Sequence, residues 1–167
     1  MTRKPTIIIA EAGVNHGGEI DVALRLVDAA ARSGADYIKF QTFNSEKLVI
    51  STAAKASYQV ANSAEVESQY EMLSRLELSK SDHHKLVERS RDVGIKFLST
   101  GFGADSIDML VSLGIQWLKI PSGEITNLPL LRHIGSLPLP ILLSTGMSTL
   151  SEVEQAVKVL AESGARK

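Results

Sequence analysis

Four short apolar runs in the sequence each end in a cluster of polar or ionisable residues. Ile7 to Ala10 leads into Glu11 and then Asn15-His16-Gly17-Gly18. Tyr37-Ile38-Lys39-Phe40 runs into Gln41-Thr42, and Ile141-Leu142-Leu143 into Ser144-Thr145-Gly146. The richest is Leu118-Lys119-Ile120-Pro121-Ser122-Gly123-Glu124-Ile125-Thr126-Asn127. Runs of this length and polarity predict buried strands whose C-terminal ends carry chemistry. A second pattern interlocks with the first, in which an amphipathic stretch closes at a glycine and a strand follows at once. Gly34, Gly94, Gly114 and Gly164 stand at those junctions, where glycine can take the left-handed conformation that stops a helix. Helical faces are legible in Val22 to Arg32 through Ala23, Leu24, Val27, Ala30 and Ala31, and in Thr149 to Glu162 through Leu150, Val153, Ala156, Val157 and Leu160. Thr149 with Glu152 has the spacing of a capping box, and Asn127 ahead of Leu128-Pro129 is a second N-cap.

Alternating strands and helices predict a parallel sheet, either a (β/α)8 barrel of TIM type or an open doubly wound sheet. Polar groups at several successive strand ends favour the barrel, which gathers residues from most of its strands at one face; a doubly wound sheet uses one switch point. The glycines after the first run lack the spacing of a dinucleotide fingerprint. Five strands and five helices are counted, with Gly164-Ala165-Arg166-Lys167 resembling the entry to a sixth strand. The expectation is therefore a single domain, residues 1–167, forming the N-terminal portion of a barrel truncated after about five βα units. Its open strand edges would invite self-association, for instance as a homodimer of half barrels.

Periodicity assigns directions. Lys39 and Gln41 share one strand face while Ile38 and Phe40 take the other, toward the helices. A lysine among apolar strand residues demands a partner or solvent, and Lys119 between Leu118 and Ile120 makes the same demand. Two such lysines at one barrel mouth predict a site for phosphate and carboxylate, to which Ser122, Ser144 and Thr100 add short donors. Each lysine has the alternative of reaching the rim or pairing with Glu11 or Glu124, and those carboxylates have the alternatives of acid, base or hydroxyl acceptor. His83, His84 and His133 fall in predicted helices without metal-ligand spacing and read as structural. The connection from Asn44 to Leu78 is long enough for a lid or an inserted helix, with Tyr58 and Tyr70 as packing residues.

Composition narrows the partners. Eighteen basic and 19 acidic residues leave a formal charge of -1, with no basic face for nucleic acid or anionic membrane. The first apolar run stops at Glu11, shorter than a signal-peptide core or a membrane span. The absence of cysteine removes thiolate chemistry and is compatible with a reducing compartment, so a cytoplasmic location is expected.

Six ordered segments carry a family resemblance: Ile9 to Gly18, Ile38 to Thr42, Tyr70 to Leu73, Phe97 to Thr100, Lys119 to Asn127 and Leu143 to Met147. Together they resemble the sialic acid synthases and the wider nonulosonic acid synthases, which include the legionaminic and pseudaminic acid enzymes. The resemblance implies a cytoplasmic barrel enzyme that condenses phosphoenolpyruvate with an N-acylated hexose such as N-acetylmannosamine, releasing phosphate and forming a nine-carbon 2-keto acid. Carried over by motif position, it implies that Lys39, Thr100, Lys119, Ser122 and Ser144 hold phosphoenolpyruvate. Glu11 would lie beside its reacting carbons, and Gln41 and Glu124 would bind the open-chain sugar. It further implies a divalent cation, Mn2+ or Mg2+, held by histidines in the later half of the barrel and so by no residue of this chain. Two departures stand out: Gly101 occupies a usual proline position, and Leu137-Pro138-Leu139-Pro140 replaces a Gly-Lys-Pro turn. The 167 residues alone are expected to be inactive. Two other readings remain, a Schiff-base aldolase using Lys39 or Lys119 as nucleophile and a non-catalytic half barrel.

Overall fold

A computed structural model describes residues 6–48 and 68–165. Its framework is one five-stranded parallel sheet whose spatial order equals its chain order. The strands are β1 (Ile9–Gly13), β2 (Tyr37–Thr42), β3 (Lys96–Gly101), β4 (Leu118–Ile120) and β5 (Ile141–Leu143). Each next strand is reached through a helix: α1 (Ile20–Arg32), α4 (Lys80–Asp92), α5 (Ala104–Ser112) and α6 (Leu128–Gly135), with α7 (Leu150–Glu162) after β5. Among the described residues two short helices, α2 (Ser45–Leu48) and α3 (Gln69–Leu76), lie in the long β2-to-α4 connection. The inserted helix expected in this connection starts at Gln69 with Ser68 as its N-cap, and Tyr58 lies outside the described residues.

The helix stops and starts follow local chemistry. Gly34, Gly94, Gly114 and Gly164 all have φ between 76° and 108°, the left-handed conformation that ends a helix without a Cβ penalty. Thr149 and Glu152 form the expected capping box, and the Asn127 side chain accepts from the Leu130 N–H. Two further capping boxes, Ser68 with Glu71 and Ser79 with Asp82, start α3 and α4. Their Ser-x-x-acid spacing is also legible in the sequence.

One face of the sheet packs on the helices. Ile38, Phe40, Phe97, Leu118 and Ile120 are buried there against Ala23, Val27, Leu86, Ile107, Leu110, Leu131 and Ile134. The other face carries Glu11, Lys39, Gln41, Leu98, Thr100 and Lys119, as the two-residue period requires. At the N-terminal end of this inner face Tyr37 stacks at a tilt on Trp117, 5.4 Å between centroids, with the Lys96 ammonium 5.2 Å from the Tyr37 ring centre. Aromatic bulk thus closes the lower end, and the polar groups are confined to the C-terminal end.

Helices α6 and α7 lie side by side at a glycine. A Cβ on Gly135 would sit 2.7 Å from Ser163 Cβ and 2.9 Å from the Leu160 carbonyl. Alanine in a helix is worth about 1 kcal/mol over glycine, but overpacking of this kind costs about 1–3 kcal/mol. We expect Gly135→Ala to lower the urea midpoint despite its better helix propensity; a raised midpoint would show that the two helices separate freely.

Candidate active site

The parallel register aligns the inward residues in rungs. Glu11, Lys39 and Leu98 are laterally paired across β1, β2 and β3. Two residues further toward the C-terminal end, Gln41, Thr100, Lys119 and Leu142 form the next rung across β2 to β5. The lysine side chains rise toward the rim because the level below is filled by Tyr37 and Trp117.

Lys39 is largely buried and its ammonium sits 2.5 Å from Glu11 Oε2, donating also to Thr100 Oγ1 at 3.3 Å. Lys119 donates to the Ile120 carbonyl at 2.7 Å. Burial holds the Lys119 ammonium below its ordinary pKa, the Lys39 charge lowers it further, and Glu11 opposes both. Two cations therefore share one carboxylate, and the cluster carries an excess positive charge in a half-buried setting. Such a cluster attracts an anion rather than a neutral ligand. The expected pairing of lysine with Glu11 is present for Lys39, and it leaves the second lysine without a carboxylate partner among the described residues.

The surrounding loops are shaped by backbone geometry. The β1–β2 register shifts between Glu11 and Gly13, and Gly13 has φ 55°. A Cβ there would lie 3.3 Å from Glu11 Oε1 and 3.9 Å from Gln41 Nε2, so the glycine leaves room beside both side chains. After β4 the chain turns through a 3₁₀ segment, Ser122–Glu124, which divides the rim. Ser122 and Gly123 line a cavity with Gly146, Met147 and Ser148, whereas Glu124 lines another with Asn44 and Phe102. Ser144 follows β5 directly and donates its N–H to the Ile120 carbonyl at 3.1 Å. Met147 in the same loop is fully exposed and has φ 59°, a strained conformation for a residue with a side chain.

Of the residues singled out from the sequence, Glu11, Lys39 and Thr100 form one contact cluster, Lys119 interacts with it through charge, and Gln41 shares their face. Ser122 and Ser144 stand on the adjoining β4 and β5 loops, and Glu124 is turned toward the β2 and β3 loops. Sequence reasoning missed that Asn127, read only as a helix cap, also donates from Nδ2 to Glu124 Oε2 at 2.7 Å. It missed Asn44 and Phe102 as well, which carry no motif of their own. Among the described residues no three His, Asp or Glu side chains converge as a metal centre requires.

Two buried histidines stand behind the site. His83 Nδ1 lies 2.8 Å from the Ser79 carbonyl, which makes Nδ1 the protonated nitrogen. Nε2 must then accept from Thr42 Oγ1 at 2.8 Å, and Thr42 accepts from Ser99 Oγ at 2.7 Å. The buried His16 Nδ1 accepts from the Gly18 N–H at 3.0 Å, leaving a buried Nε2–H without a partner among the described residues. His83, His84 and His133 all lie on helices, as expected; His133 pairs with Asp108 at 2.7 Å.

A parallel sheet with two lysines toward the C-terminal end of its inner face defines the class, a portion of a barrel-type α/β fold. The chain belongs to the NeuB family, whose model matches residues 26–167. It is 56% identical over 150 residues to the N,N'-diacetyllegionaminic acid synthase of Legionella pneumophila, covering 90% of this chain and 42% of the relative. Identity is 48% to the enzyme of the same name from Campylobacter jejuni, over 98% of this chain and 49% of the relative. Among solved structures it is similar to an N-acetylneuraminic acid synthetase from Leptospira borgpetersenii, with TM-score 0.82 and 34% identity over 97% of this chain and 52% of that one. A truncated 3-deoxy-D-arabino-heptulosonate 7-phosphate synthase from Thermotoga maritima, TM-score 0.63 at 17% identity over 95% of this chain and 48% of that one, shares the fold. The chain thus spans about half the length of the curated relatives it matches. Among the described residues no helix is long and apolar enough to cross a membrane.

Burial depresses the pKa of both His16 and His83. The unfolded chain then binds more protons than the folded one once pH falls below the ordinary histidine value, so stability should decline from about pH 6.5 downward. The slope is at most about 1.4 kcal/mol per pH unit for each histidine. Urea midpoints at pH 7.5 and 5.5 check this, and His83→Asn should flatten the dependence; equal midpoints in the parent chain would contradict it.

Proposed function

We propose that this chain supplies the phosphoenolpyruvate-binding half of a nonulosonic acid synthase, which joins phosphoenolpyruvate to an N-acylated hexose. The observation that carries the reading is the pair of lysines sharing one carboxylate at the C-terminal rim of a NeuB-family sheet. Lys39 and Lys119 neutralise the phosphate and carboxylate of the substrate, with Thr100, Ser122 and Ser144 as short hydrogen-bond donors. Gln41 and Glu124 hold the open-chain sugar. N-acetylmannosamine is one candidate sugar. A hexose bearing two acylamino groups is favoured, because N,N'-diacetyllegionaminic acid synthases match at 56% and 48% identity and neuraminate-9-phosphate synthases at 30–31%.

The chemistry balances as follows. The methylene carbon of phosphoenolpyruvate forms a bond to the aldehyde carbon, whose oxygen takes up a proton and becomes a hydroxyl. Water adds to the carbon bearing the phosphate and gives up a proton, and that carbon then expels inorganic phosphate to become the ketone. Glu11, salt-bridged to Lys39 and half exposed, is placed to move a proton at the reacting carbons. The lysines stabilise the charge of the departing phosphate at fixed positions, where electrostatic preorganisation acts most strongly.

Because the relatives are about twice as long, the 167 residues alone are expected to bind phosphoenolpyruvate without turning it over. In the polypeptide at its natural length, Lys119→Ala should lower kcat/KM for phosphoenolpyruvate by a factor on the order of 10²–10³, as for loss of one oxyanion-stabilising donor. Phosphate release with manganese and an N-acylated hexose measures this; a loss below twofold would remove Lys119 from the site. The lowered pKa of Lys119 also favours a second reading, a Schiff-base aldolase. Borohydride in the presence of a 2-keto acid would leave a covalent adduct on Lys119 in that case, and an unmodified mass excludes it.

A further inference from the structure

Beside Glu124 lies a cavity of about 380 Å³ whose other walls include Asn44, Leu48, Phe102, Ala104 and Asp105. That volume falls within the range of small-molecule sites, on the order of 300–1,000 Å³. We propose that this cavity is the specificity subsite for a neutral acylamino group carried by the sugar at a distance from its aldehyde. The proposal rests on the synthase reading and names what distinguishes its substrates.

Charge excludes an anionic occupant. The two charged groups that border the cavity beside Glu124, Lys47 and Asp105, are paired with each other, and Glu124 is engaged by Asn127 Nδ2. Hydrogen bonding and shape then select the ligand. Asn44 Oδ1 accepts from the Lys47 N–H at 3.2 Å, which leaves its Nδ2 donors without a partner among the described residues. Leu48 and Phe102 supply apolar surface, and Phe102 is held edge-on to Phe43 with 6.4 Å between centroids. An acylamino group offers what these walls lack, a carbonyl acceptor for the amide donor and a small methyl for the apolar wall. A hydroxyl in its place would leave the apolar wall unfilled, and a carboxylate would meet Glu124 and Asp105. The first acylamino group and the aldehyde stay with the lysine cluster on the inner face of the sheet.

Two substitutions test this on the polypeptide at its natural length. Ala104→Trp fills the cavity from an exposed first-turn helix position. Asn44→Asp keeps the acceptor used by the Lys47 N–H while replacing the free donor with an acceptor. The readout is the ratio of kcat/KM for a hexose with two acylamino groups to kcat/KM for N-acetylmannosamine, with KM for phosphoenolpyruvate from the same assays reporting an intact lysine site. We expect the ratio to exceed one in the parent protein and to fall at least tenfold in both variants. A ratio within twofold of the parent in both, or a parent that prefers N-acetylmannosamine, overturns the subsite and leaves the synthase reading intact. Should Ala104→Trp lose its phosphoenolpyruvate KM, the Asn44→Asp ratio decides. A parent that forms no keto acid from either sugar overturns the synthase reading and the subsite with it.

Discussion

Two ammonium groups, on β2 and β4, face the same half-buried space and have one carboxylate, Glu11, between them. Both must stay near that carboxylate or near water, because a buried ammonium without a counter-charge costs several kcal/mol. That demand holds Glu11 of β1 against Lys39, whose ammonium also reaches Thr100 on the neighbouring β3. It also leaves a standing positive charge that only an anionic ligand can neutralise. The helices and loops around the sheet can be understood as the means of holding those three side chains in one small volume.

The sheet meets the demand by separating its two faces. Packing against the helices consumes every apolar residue on the outer face, from Ile38 to Ile120, so the inner face is free to be polar at one end. The Tyr37–Trp117 contact fills the other end. Polarity therefore rises along each strand toward its C-terminus, which is where barrel enzymes assemble their sites. The buried chain from Ser99 through Thr42 to His83 shows the cost of any polar residue on the wrong face: each must find a partner, and here they find one another.

The 3₁₀ turn after β4 adds a division that the strand pattern does not contain. It sends Ser122 toward the β5 loop and Glu124 toward the β2 and β3 loops, so two residues two positions apart serve different neighbours. The proposed condensation between an anionic and a neutral substrate would use such a partition, since each is recognised by unlike groups.

Much of this was written locally. The period of two placed Lys39 and Gln41 on one face and Ile38 and Phe40 on the other, and the helix-stopping glycines marked where each strand begins. The Thr149–Glu152 capping box and the Asn127 cap could be read from spacing alone, because they involve neighbours within four residues. The sequence by itself thus determined the strands, the helices and which polar groups lie at the rim. Only the tertiary structure decided that Glu11 pairs with Lys39 rather than Lys119, and that Asn44 and Phe102 border one cavity with Glu124. Those contacts join elements far apart in the chain, and their energies depend on register, turn geometry and burial, none of which a local pattern of residue types specifies.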